Sequence, residues 1–376
     1  MSRQLRLFPG GSGRVVLAGE ARDLEIARAL AAWFEAEARD LPWRRGRTPY
    51  AVWLSEIMLQ QTRVETVVPY FERFLRAYPD VGALAAAPID DVLHLWSGLG
   101  YYRRARQLHA TAREVTTRYG GVLPDEAEAL RALPGVGAYT AGAIASIAYG
   151  RREPLVDGNV ARVIARLDAI DEPVRSPAVT RRLWETAARL VPADRPGRFN
   201  EALMELGATV CTPRDPRCDA CPLPHVCHAR ASGRERDLPV VESKRPVPVV
   251  AAVAVVIADG GLVLFARRRE GGLFGGLWEP PMVEAPTVEA ARASLGAVGV
   301  ALGRARLREA GQVVHVLTHR RMEVTVVVAR RTAGLVVGDA LGAPYEKAGW
   351  LSPAAPGVGV STLARKVLAT AGGATG

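Results

Sequence analysis

Residues 130–150 read "LRALPGVGAYTAGAIASIAYG", and the turn at Leu133-Pro134-Gly135-Val136-Gly137 decides what kind of domain this is. Glycines at 135 and 137 permit a sharp reversal and leave backbone N–H groups free at the start of a helix predicted near Ala138. Taken alone, such a turn is ordinary helix punctuation. Downstream, "PLVDGNVARV" sets Asp157 ahead of a second helix start near Asn159, where an isolated Asp-Gly-Asn reads as a turn or an N-cap. From residue 24 to about 210, apolar residues recur three and four apart, as in "LEIARALAAWFEAEARDL", so an all-helical domain is expected.

That domain ends on "CTPRDPRCDACPLPHVC", residues 211–227, which holds all four cysteines of the 376-residue chain in the spacing C-x6-C-x2-C-x5-C. Four thiolates in one short loop can surround a single metal centre. The N-terminus has no apolar run of signal-peptide length and no stretch is long enough to span a membrane, so a cytoplasmic setting is expected, which disfavours disulfides. Structural zinc loops usually pair their cysteines as two short knuckles, whereas only the central pair is close here, and four-cysteine sites also hold iron-sulfur clusters. The succession of hairpin, aspartate and cysteine loop resembles the helix-hairpin-helix DNA glycosylases of the endonuclease III and MutY family. That resemblance implies one [4Fe-4S] cluster on Cys211, Cys218, Cys221 and Cys227. Arg214, Arg217 and His225 interleave with these thiols and would present positive charge to phosphates.

The segments "WLSEIMLQQT", "GLGYYRRARQLH", "VDGNV" and "FNEALMELGA" resemble the MutY adenine DNA glycosylases, and the likeness covers residues 24–230 nearly throughout. Glu56 lies among Trp53, Leu54, Ile57, Met58 and Leu59; a carboxyl buried there has a raised pKa and can donate a proton. Breaking a bond between base and sugar needs such an acid and a carboxylate to steady the positive sugar. The resemblance implies Glu56 as the acid and Asp157 as the carboxylate, supported by Tyr139 and Asn159. It also implies an adenine pocket of Arg44, Trp43 and Glu201, and duplex contacts by Gln61, Thr62 and Tyr101. Leu133, Gly135, Val136 and Gly137 would clamp the DNA backbone. Bifunctional relatives carry a lysine in the hairpin helix; Tyr139 stands there, and the first 243 residues contain no lysine. A monofunctional enzyme without strong lyase activity is therefore expected.

Past a polar, proline-closed connector at 231–247, "VVAAVAVVIADGGLVLFARRR" gives two strands about an Asp-Gly-Gly turn and "RMEVTVVVARR" another, with a helix in "TVEAARASLGAVGV". Residues 248–370 are thus expected to form a smaller α+β domain. "GGLFGGLWEPPMVEA" resembles a Nudix remnant, but Glu289 is the only acid on its helix, which argues against pyrophosphate hydrolysis. Leu317, Thr318 and His319 stand where the family's 8-oxoguanine-reading loop has Phe-Ser-His. The organisation expected is an extension at 1–23, a helical domain at 24–230, the connector and the second domain. A net charge of +10 favours a polyanion, here double-stranded DNA carrying adenine opposite 8-oxoguanine or guanine, with no membrane and a monomeric protein.

Overall fold

The computed structural model describes residues 19–242, 246–338 and 341–372. In chain order its helices are α1 (Glu20–Glu37), α2 (Pro42–Arg45), α3 (Pro49–Leu59), α4 (Val64–Ala77), α5 (Val81–Ala86), α6 (Ile89–Leu95), α7 (Arg103–Tyr119), α8 (Ala127–Arg131) and α9 (Ala138–Ala143), which runs into a π-turn at Ile144–Ala148. There follow α10 (Gly158–Leu167), α11 (Pro177–Leu190), α12 (Pro196–Thr209), α13 (His228–Ala231), α14 (Val288–Ala297) and α15 (Thr362–Gly372). The strands are β1 (Val249–Asp259), β2 (Leu262–Arg268), β3 (Trp278–Glu279), β4 (Met282–Glu284), β5 (Val300–Ala301), β6 (Arg308–Val316), β7 (Arg321–Arg330), β8 (Val336–Val337) and β9 (Tyr345–Leu351). A helical half followed by an α+β half is the class expected from the sequence. The chain forms two compact units, residues 1–85 with 110–243, and residues 86–109 with 244–376.

In the first unit, helix starts are fixed locally. Thr48, Asp157 and Ser176 each cap a helix by accepting from the N–H three residues on, with Pro49 and Pro177 at the first helical positions after Thr48 and Ser176. Ile26, Leu30 and Phe34, four apart on α1, pack in one core with Val160, Val163, Ile164 and Leu167 of α10 and Ala202, Leu203 and Leu206 of α12. The close approach of α10 and α12 requires Gly207: a Cβ there would lie 2.6 Å from the Asn159 Cβ. Helix α1 begins at Glu20, inside the stretch read as an extension; residues 1–18 of that stretch lie outside the described residues. The connector is less exposed than its composition suggested. Leu238 is buried, its carbonyl accepts from Arg166 Nε at 2.8 Å, and the Val240 carbonyl accepts from the Val174 N–H.

In the second unit, the main sheet runs β3-β2-β1-β7-β6, with β4 also on β1 and β9 on β2. Strand β1 is parallel to β7 and turns into antiparallel β2 through Gly260 and Gly261, both at positive φ. Alternation places Val253, Val255 and Ile257 in a core with Ala291 and Leu295 of α14. Ala252, Ala254 and Val256 face the opposite core, with Leu363, Ala364 and Val367 of α15. Ala371 is buried in α15, and residues 373–376 lie outside the described residues. Residues 86–109 belong to this unit through buried bonds: Ser97 and Tyr102 both donate to the Val360 carbonyl, at 2.8 and 2.7 Å. Arg267 forms an ion pair with Asp90, and Arg106 with Glu270.

Candidate active site

Every residue from Tyr50 to Met58 of α3 is buried, so the only carboxyl on the helix, Glu56, is carried into the apolar interior of the first unit rather than to solvent. Burial pushes Glu56 up to about 7, against the Tyr139 hydroxyl, which donates to Glu56 Oε2; Asp157 and Glu201 nearby add to the rise. Asp157 is the N-cap of α10, its Oδ1 accepting from the Val160 N–H at 2.7 Å and its Oδ2 from Asn159 Nδ2 at 2.9 Å. Burial raises the Asp157 carboxyl, and those donors offset part of the rise.

Glu56, Asp157, Tyr139 and Asn159 line one cavity of 530 Å³, a volume suited to a small aromatic group. Trp43, Arg44, Gln61, Thr62 and Glu201 line it too, so nine of the residues expected at the site share one wall system. Trp43 is nearly buried, edge-on to Phe71 with ring centroids 5.4 Å apart, and serves both core and cavity.

The cavity also holds a charge network the sequence did not single out. Glu205 lies four residues beyond Glu201 on α12 and therefore on the same helical face. Arg39 donates to both Glu205 oxygens, at 2.7 and 2.8 Å, and Arg44 Nη2 donates to Oε2 at 2.9 Å. Burial disfavours the Glu205 anion, but these hydrogen bonds win and hold its carboxyl down at about 2. Glu201 pairs with Arg47 at 2.9 Å and has Arg44 Nε at 3.6 Å, yet burial outweighs both and leaves its carboxyl raised. Two buried acids one turn apart thus behave oppositely.

Behind the cavity, Arg162 donates from Nη2 to Asn159 Oδ1 and the Gly207 carbonyl, and from Nε to the Cys211 carbonyl at 2.7 Å. Arg166, buried one turn on, donates to Cys211 Sγ at 3.2 Å and to the Thr212 and Pro213 carbonyls. Two arginines of α10 therefore tie the aspartate end of the cavity to the first cysteine. The four cysteines are half-buried and unpaired, and among the described residues they form no metal-ligating group of three. Their donor chemistry still fits a metal centre. Burial, then the neighbouring thiols, push Cys221 up to about 12 and raise Cys227, and burial, then Glu235, raises Cys218, a penalty on thiolates that a bound cation removes. Of the basic residues in this loop, Arg214 is exposed, Arg217 donates to the Thr209 carbonyl and His225 pairs with Glu25.

The hairpin buries Leu133 and Val136 while Gly135, at φ 73°, and Gly137 stay exposed, and α9 starts at Ala138 as expected. Tyr101 and the loop of Leu317, Thr318 and His319 belong to the other unit. Leu317 packs against a core and its N–H donates to the Arg320 carbonyl; Thr318 and His319 are exposed.

Residues 54–189 match a family model described as HhH-GPD superfamily base excision DNA repair protein, and residues 252–370 match the NUDIX domain. The chain is 40% identical over 359 residues to the adenine DNA glycosylase of Rattus norvegicus, covering 80% of this chain and 69% of that protein. It is 39% identical over 357 residues to the adenine DNA glycosylase of Homo sapiens, covering 79% of this chain and 65% of that protein, so it spans somewhat less than two thirds of the human relative. The adenine DNA glycosylase of Mycolicibacterium smegmatis is 46% identical over 205 residues, or 54% of this chain and 69% of that one. The solved structure of a thermostable thymine-DNA glycosylase superposes at a TM-score of 0.51 and 30% identity, covering 56% of this chain and 98% of that chain.

Proposed function

Because the chain belongs to the adenine DNA glycosylase family, we propose that it hydrolyses the N-glycosidic bond of adenine mispaired with 8-oxoguanine or guanine in double-stranded DNA. The observation that carries this reading is a carboxyl held near pKa 7, Glu56, in one cavity with Asp157. A neutral acid and a carboxylate are what departure of a base from its sugar requires. With its carboxyl near pKa 7, Glu56 still carries a proton in about half of the molecules at neutral pH, and gives it to the five-membered ring of the extruded adenine. Asp157, hydrogen-bonded by Val160 and Asn159, faces the positive charge that develops on the sugar, and water completes hydrolysis.

The Tyr139 hydroxyl orients Glu56 and occupies the place where bifunctional relatives carry an amine, which supports a monofunctional enzyme. Arg44, Trp43 and Glu201 receive the base. Gln61, Thr62 and Tyr101 contact the duplex, the turn of Leu133, Gly135, Val136 and Gly137 holds its backbone, and Leu317, Thr318 and His319 read the opposite base. Cys211, Cys218, Cys221 and Cys227 would hold one [4Fe-4S] cluster, which when bound folds the loop and supplies neither acid nor nucleophile. A cytoplasmic monomer completes the proposal, with a helical segment 24–230 and an α+β segment 248–370 along the sequence and residues 86–109 of the first grouped with the second in space. No helix among the described residues is long and apolar enough to cross a membrane.

The test is base release from duplexes holding adenine opposite 8-oxoguanine, guanine, thymine or an abasic site. Release is expected opposite the first two, and adenine retained opposite 8-oxoguanine refutes the reading. Efficient borohydride trapping on abasic DNA would refute the monofunctional part.

A further inference from the structure

The turn Ser97–Tyr102 of the second unit carries three positive φ angles in four residues: Gly98 at 107°, Gly100 at 77° and Tyr101 at 48°. Two are glycines and cost nothing, but Tyr101 has a side chain and is strained in that region. It is also 48% exposed, so apolar burial does not hold its ring in place. Other groups must fix this turn.

One anchor lies on each side. At the front, the Ser97 hydroxyl donates to the Val360 carbonyl and accepts from the Val360 N–H at 3.1 Å and from Arg365 Nη2 at 2.9 Å. The Tyr102 hydroxyl accepts from the Gly98 N–H at 3.0 Å. At the back, the Gly100 carbonyl accepts from Trp96 Nε1 at 3.0 Å and from Arg104 Nη2 at 3.2 Å. The Arg104 guanidinium lies 5.4 Å from the Trp96 ring centroid and 5.5 Å from that of Tyr101. Arg104 is only 7% exposed, and burial pulls its guanidinium down to about 10. Burying an arginine is costly, and this one has its Nη2 on the Gly100 carbonyl and its charge against the Tyr101 ring.

We infer that Arg104 is a positioning residue that acts through Tyr101: bonded to the Gly100 carbonyl and seated against both rings, it holds the phenol ring in the exposed, left-handed pose from which it enters DNA. The inference rests on the reading of Tyr101 as a duplex-wedging residue. It adds that the wedge is prepared before DNA arrives.

The experiment uses the full chain and a duplex with adenine opposite 8-oxoguanine, with 2-aminopurine flanking the lesion to report local unstacking. Tyr101→Ala, Arg104→Ala, Arg104→Lys and the Tyr101→Ala/Arg104→Ala double variant are compared in binding fluorescence and single-turnover excision, with melting temperature as control. Arg104→Ala should lose most of the fluorescence change and about tenfold to a hundredfold of the excision rate, as expected of a misplaced reactive geometry. Arg104→Lys, which keeps the cation beside the rings, should recover at least half of the fluorescence change. The double variant should match Tyr101→Ala, because Arg104 then has nothing left to position. A loss on removing Arg104 that persists undiminished in the Tyr101→Ala background overturns the inference, as does wild-type fluorescence in Arg104→Ala. Wild-type fluorescence in Tyr101→Ala overturns the wedge reading itself and the inference with it.

Discussion

The Glu56 carboxyl titrates at about 7 in the folded chain against 4.5 for an ordinary glutamate, so the unfolded chain sheds this proton first. Stability is therefore lost as pH rises from 4.5 to about 7, by about 3 kcal/mol when ionisation is complete. In the proposed reaction activity follows the same proton, because only the neutral acid can donate: kcat/KM should fall as pH rises through about 7. Glu56→Gln should lose about 10²- to 10⁴-fold in excision rate yet show a flatter dependence of Tm on pH between 5 and 8. A variant that is both inactive and as pH-sensitive as the parent would contradict this account. Glu205 predicts the opposite pattern, since its ion pairs are structural. Glu205→Ala leaves Arg39 and Arg44 without their shared partner and should cost about 3–5 kcal/mol in urea unfolding.

At the scale of the element, Asp157 has two tasks that separate by substitution. As the N-cap of α10 it accepts from Val160, and Asn can do the same; in the proposed reaction it faces the sugar as a carboxylate, and Asn cannot. Asp157→Asn should lose excision activity with Tm nearly unchanged, whereas Asp157→Ala should also lose about 0.5–2 kcal/mol of stability. Equal melting of the two would deny the capping role. The helix pattern, the hairpin and the β1–β2 turn were legible in the sequence because each rests on local rules of apolar period, glycine and cap. Glu56 and Asp157 were singled out because their short segments resemble those of known glycosylases, and the structure sets both on one cavity. Arg39, Glu205, Arg162 and Arg166 were not. All but three of the 49 Lys and Arg residues are arginine, and nothing local marks which few are turned inward to hold carbonyls and acids. The i, i+4 spacing of Glu201 and Glu205 was the one available signal, and it separates into an ionised and a raised carboxyl only when α1, α2 and α12 pack together.

For the whole molecule, the net charge of +10 predicts DNA affinity that declines steeply and linearly in log-log form as salt rises. On the proposed cluster assignment, Cys218→Ser should lose iron and weaken DNA binding well before it slows single-turnover excision of bound substrate; normal binding with no turnover would instead give the cluster a part in the chemistry. Residues 86–109 pack with 244–376 through Ser97, Tyr102 and Asp90, so the chain passes from one unit to the other three times instead of once. A cut at residue 243 is then not a clean excision of a module: it strips Ser97 and Tyr102 of the Val360 carbonyl and Leu93 of its neighbour Gly359, and leaves an open wound in the fragment that remains. Cooperative unfolding should accordingly follow the weave and not the linker. In hydrogen exchange, amides of α6 and of the first turns of α7 should open together with those of β1 and β7, although these elements lie far apart in the sequence.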